Sequence, residues 1–112
     1  MFLLVVVLNY EEKLNQVLEG FFDIGIKGAT VLESTGMGQS ILDCDIPVVG
    51  GLRKLLFTKA RAHNATIFSV VSNEEKVQEA IRTVESVVGE LGNPGTGVVF
   101  AFPLEIVKGI VE

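Results

Sequence analysis

TIFSVVSNEEKVQEAIRTVESVVGELGNPGTGVVFAF, residues Thr66 to Phe102, is the stretch that decides how this chain folds. Thr66 to Val71 is rich in β-branched and aromatic residues and reads as a strand. Ser72-Asn73-Glu74-Glu75 follows in the S-x-x-E form of a capping box, where hydroxyl and carboxylate each take up a backbone N–H at a helix start. Val77, Ala80, Ile81, Val84, Val87 and Val88 then recur at helical spacing and give that helix one apolar face. Gly92-Asn93-Pro94-Gly95-Thr96-Gly97 stops it, and Val98 to Phe102 reads as a second strand.

The same pattern occurs once more toward the start of the chain. Met1 to Leu8 is an almost wholly apolar run, as in a strand covered on both faces. Asn9, with Glu12 three residues on, is placed to cap a helix whose core face is Leu14, Val17, Leu18, Phe21 and Phe22. Gly25 and Gly28 end that helix, and Ala29 to Thr35 reads as the next strand. Two right-handed β-α-β units in this order predict an α+β, ferredoxin-like βαββαβ fold, a four-stranded antiparallel sheet with two helices on one face. Phe2, Val6, Ile67 and Phe68 in the central strands are expected to supply apolar side chains to both sheet faces, so association with further copies would cover the bare one.

Between the two units, residues 36–63 follow no single period. Two glycine clusters, Pro47 and the step Asp43-Cys44-Asp45 predict a long excursion, with about two turns of helix around Leu52, Leu55, Leu56 and Lys59. Pro103 to Glu112 is a short tail. A length of 112 residues suits one domain, 1–112, with a single core.

Composition narrows the function. Hydrophobic residues make up 48% and charged residues 21%, which excludes disorder and leaves apolar surface to spare for an interface. A formal net charge of −5 argues against nucleic-acid binding, which needs a surplus of Lys and Arg on one face. Met1 to Leu8 has no basic leader and is less than half a membrane span, so neither export nor membrane insertion is expected. With a single cysteine, Cys44, no disulfide can close within the chain, and the cytoplasm is the expected location.

Few residues suggest chemistry. Asp43, Cys44, Asp45 and His63 are metal-ligand types without a recognised zinc spacing, and the flanking carboxylates disfavour a Cys44 thiolate. No Ser-His-Asp or Cys-His set is apparent, so the reading is of a binding protein and not an enzyme. Gly92, Gly95 and Gly97 could present successive backbone N–H groups as an anion nest, or form only a tight helix-to-strand turn. Arg53, Lys54, Lys59 and Arg61 gather four of the nine basic residues. Beside Leu52, Leu55, Leu56 and Phe57 they read either as a solvated face or as a partner contact.

On these residues the chain resembles the P-II signal-transduction (nitrogen regulatory) family over nearly its whole length, as a divergent P-II-like member. Lys13-Leu14 through Gly25-Ile26-Lys27-Gly28-Ala29-Thr30-Val31 is similar to that family's first helix and second strand. Gly36-Met37-Gly38-Gln39 resembles the entry to its T-loop, and Gly89 to Phe102 its glycine-rich B-loop and following strand. The resemblance implies a homotrimer with effector clefts between subunits and a T-loop that touches a target, either a membrane transporter or a metabolic enzyme. It implies that Gly36, Gly38, Gln39, Gly92, Gly95, Thr96, Gly97 and Lys108 bind a small anionic effector, with ATP, ADP or AMP as candidates. Arg53, Lys54, Lys59 and Arg61 are then the partner contact. Several family positions differ: Gln39 follows Gly38 with no arginine between, Glu90 and Thr96 stand at the B-loop lysine positions, and the tail's two arginines are reduced to Lys108. Two alternatives stand beside it: a trimer resembling the CutA divalent-metal-binding family, which shares this fold, using Cys44 or His63, and an ACT-like small-molecule-binding module.

Overall fold

The computed structural model describes residues 1–37 and 64–110. Its elements are β1 (Phe2–Leu8), a 3-10 turn (Glu11–Lys13), α1 (Leu14–Asp23), β2 (Thr30–Ser34), β3 (Asn64–Val71), α2 (Glu74–Val88) and β4 (Gly97–Pro103). The strands make one antiparallel sheet in the order β2-β3-β1-β4. This is the ferredoxin-like arrangement that the sequence predicts.

β1 lies in the interior of the sheet because it alone has apolar residues to offer at every position. Leu4 stands opposite Ser69 and Ala101, Val6 opposite Ile67 and Val99, and Leu8 opposite Ala65 and Gly97. Alternation of side chains sends this set to one face. There Leu4, Val6, Leu8, Ala65, Ile67 and Val71 form one core with Val17 and Phe21 of α1 and Val77, Ala80 and Val84 of α2, so both helices cover the same face. The helices approach closely: a Cβ placed on Gly20 would stand 2.5 Å from Thr83 Cγ2.

α1 ends in a Schellman motif. Ile26 N donates to Phe21 O at 2.8 Å and Gly25 N to Phe22 O at 3.1 Å, with Gly25 at φ +92°. Ile26 is then buried against the core, the apolar contact that completes such a cap. Lys76, at the start of α2, donates through Nζ to Ile24 O and lies 3.5 Å from Glu79 Oε2. A cation therefore meets the negative end of α1.

Three local expectations are corrected. Asn73, not Ser72, caps α2: its Oδ1 accepts from Lys76 N at 2.9 Å, and the position that would reciprocate is occupied by Lys76 instead of a carboxylate. Asn9 does not cap α1, because a 3-10 turn intervenes and the helix begins at Leu14 without a side-chain cap. Phe22 is 61% exposed, about 100° round the helix from buried Phe21, with Lys27 Nζ 5.9 Å from its ring centroid.

The second sheet face is apolar and, among the described residues, carries no helix. Leu3, Val5 and Val7 of β1 project there with Phe68 and Val70 of β3, Leu32 of β2, and Val98, Phe100 and Phe102 of β4. Of the residues expected to supply both faces, Phe2, Val6 and Ile67 belong to the helix side and Phe68 alone to this one. Val5 is buried even here, between its direct partners Phe68 and Phe100, whereas Leu32, Val98, Phe100 and Phe102 are each about half exposed.

Candidate functional site

The loop between α2 and β4 is the best-defined polar feature. It leaves the helix through Gly89 at φ +92° and makes two tight turns, Asn93 N to Glu90 O at 3.1 Å and Thr96 N to Asn93 O at 3.4 Å. The Glu85 carboxylate reaches over the helix end to accept from Leu91 N at 3.0 Å. Asn9 Nδ2 donates to Gly95 O at 2.9 Å, so the residue expected at a helix cap ties the loop to the end of β1. Thr96 is buried. The amides of Gly92 and Gly95 make no hydrogen bond within the described residues, which leaves two donors on a glycine-rich turn.

Gly97 has a structural task distinct from binding. Its φ is +145°, and a Cβ there would lie 2.4 Å from Val7 O. Only glycine lets β4 start against β1 at this point. Gly95, at φ +80°, has open space where a Cβ would stand.

Gly36 lies at the same end of the sheet but at the opposite edge. The row Glu33, Ala65, Leu8 and Gly97 runs across all four strands there, which puts the β2 and β4 edges roughly 14 Å apart. Beside Gly36 the open face is polar: Ser34 Oγ and Thr66 Oγ1 are hydrogen-bonded at 2.8 Å, and a Cβ on Gly36 would stand 3.4 Å from Asn64 Nδ2.

The other end of the sheet holds a cleft of about 820 Å³, lined by the α1–β2 turn from Gly25 to Thr30, by Phe68 to Val71 of β3 with Ser72 after it, and by Leu3, Lys76, Gly109 and Ile110. Its wall is fixed by Ser69, a buried hydroxyl that donates to Gly28 O at 2.6 Å. Exposed Lys108 adjoins Gly109 on its rim. From Leu8 to Phe2 the strands span about 20 Å, so Lys108 and the α2–β4 loop lie at opposite ends of one subunit.

The structure thus brings Gly92, Gly95, Thr96 and Gly97 together, places Gly36 across the sheet from them, and sets Lys108 far away. Gly38, Gln39, Arg53, Lys54, Lys59 and Arg61 lie outside the described residues, as do Cys44 and His63. Among the described residues no group of His, Cys, Asp and Glu side chains could hold a metal ion, and no helix is long and apolar enough to cross a membrane. Sequence reasoning did not single out the cleft as a site. Its signal was the pair Gly25 and Gly28, read as the stop of a helix and as part of the family resemblance but not as the wall of a cleft.

A comparison with curated proteins returned no match. The family model described as nitrogen regulatory protein P-II matches residues 1–111. With the four-stranded fold and the glycine loop that leads into β4, this match shows that the chain belongs to the P-II nitrogen regulatory family.

Proposed function

We propose that this P-II protein is a homotrimer that binds a small anionic effector, an adenine nucleotide first among the candidates, in clefts between copies, and that it regulates a transporter or metabolic enzyme through residues 36–63. The observation that carries the reading is the division of the candidate groups. The glycine loop, whose Gly92 and Gly95 amides make no hydrogen bond among the described residues, and the cleft lined by Gly109, the residue after Lys108, stand at opposite ends of one sheet. One ligand can touch both only if two copies meet.

The open face supports that association. Phe100 and Phe102, 47% and 46% exposed, share the open side of β4 with Val98, and with Leu32 at the far edge of the same face they make a surface too apolar to leave in water. A second copy would remove it from solvent, and threefold order is what the family resemblance implies. The polar pair Ser34 and Thr66 then marks the border of that interface, next to the strand ends from which the chain enters and leaves residues 35–63.

The test combines sedimentation with calorimetric titration of AMP, ADP, ATP and bicarbonate. The wild-type chain should sediment as a trimer and bind at least one of them. The double variant Phe100→Ser, Phe102→Ser should sediment as a monomer and lose that binding. A folded monomer that binds as tightly as wild type would refute the intersubunit site.

A further inference from the structure

Asn9 follows the last residue of β1, is half-buried, and is used neither by the core nor by the helix after it. Its amide reaches a carbonyl 86 residues away in sequence, Gly95 O. The partner on the other side of that same peptide unit is equally informative. Gly95 C=O and Thr96 N–H belong to one plane, and Thr96 N donates to Asn93 O at 3.4 Å. The Gly95–Thr96 peptide is therefore gripped at both of its polar ends, by Asn9 on the carbonyl and by Asn93 on the amide.

Gly95, at φ +80° with open space where a Cβ would stand, would otherwise let this peptide rotate against the Pro94–Gly95 peptide before it, since glycine takes either sign of φ. Such a rotation would break the Asn9 bond to Gly95 O, swing Thr96 N–H away from Asn93, and change the angle between this peptide and the neighbouring one that carries the Gly95 N–H. We infer that Asn9 is a positioning residue for the effector loop, and that its amide holds the loop in the one peptide orientation that presents the Gly92 and Gly95 N–H groups to an anion. The inference rests on the proposed anion-binding role of this loop. A loop already ordered in its binding geometry loses less freedom when ligand arrives.

The test uses the full chain with Asn9→Ala and with Asn9→Asp, which has the same shape but, when ionised, no donor to offer a carbonyl. Amide hydrogen exchange is followed residue by residue, and AMP, ADP, ATP and bicarbonate are titrated into each protein. Exchange across residues 91–97 should accelerate about tenfold in both variants while the β3 amides keep their protection, and affinity for whichever of them binds wild type should fall about three- to tenfold. A residue with only a general structural role would instead loosen β3 together with the loop. Unchanged loop exchange would overturn the positioning role. So would a loosened loop with undiminished affinity, and that result leaves the proposed function standing. A wild-type chain that binds none of AMP, ADP, ATP and bicarbonate would remove both.

Discussion

Replacing Gly97 by alanine should damage the fold itself, and the structure gives a magnitude. The new Cβ would lie 2.4 Å from Val7 O on a backbone with φ at +145°. A non-glycine residue in such a conformation costs on the order of 1–3 kcal/mol. Relief of the contact requires β4 to move away from β1 at the row where Leu8 opposes Gly97, next to the Asn9 bond to Gly95. Each backbone hydrogen bond lost there removes about 1 kcal/mol. The sum is about 3–5 kcal/mol, a large share of the 5–15 kcal/mol typical of a domain. Urea unfolding followed by circular dichroism at one fixed protein concentration should show a midpoint lower by about 2 M, given slopes of about 1–3 kcal/mol per molar. Gly95→Ala is the control: its side chain enters open space and carries only a left-handed backbone cost of about 1–2 kcal/mol, so its midpoint should move by less than about 1 M. A Gly97→Ala midpoint within about 0.5 M of wild type, or a larger loss in Gly95→Ala, would refute this account of the β1–β4 contact.

Gly20→Ala should destabilise by about 1–2 kcal/mol despite alanine's better helix propensity, because its Cβ meets Thr83 Cγ2. Thr83→Ser removes that methyl while keeping the hydroxyl that donates to Glu79 O, so the double variant should recover most of the loss; additive effects in thermal unfolding would contradict the contact. Lys76→Met keeps the aliphatic stem but removes the bond to Ile24 O and the ion pair with Glu79, whose partners are 25% and 38% exposed. Its expected cost is about 1–2 kcal/mol at low salt, mostly from the bond to the carbonyl, and a melting temperature equal to wild type would remove Lys76 from the α1 cap.

The sequence made the sheet legible because its strands are apolar in ways that leave few choices. A run such as Phe2 to Val7 cannot sit at an exposed edge, and the valines of α2 share a stripe that only a helix brings together. Choices separated by one residue were harder. Ser72 and Asn73 are both good caps, and selection between them depends on where β3 ends, which the packing of Val71 and Val77 decides. Asn9 looked like a cap because local spacing has no knowledge of Gly95. The glycine loop was readable as a turn or a nest, while its hydrogen bonds to Glu85 and Asn9 arise only once β1, α2 and β4 are assembled. Lys108 was grouped with that loop by resemblance, and the strand lengths separate them within one chain.

The central place of β1 also sets an order on synthesis. Leu8 pairs with Ala65 and Gly97, and Phe2 with Val71 and Pro103, so neither side of the strand has its partner nearby in sequence. At about 5–20 residues per second, the β4 side of β1 stays vacant for roughly 5–20 s after the ribosome has made it. Throughout that interval a seven-residue apolar strand is available to any other edge it meets. Such long-range pairing also slows folding after release. β1 is therefore made before both of its partners and is fully paired only when the later of them arrives, and yield in the cell will depend on how well Phe2 to Leu8 is shielded until Phe102 has emerged.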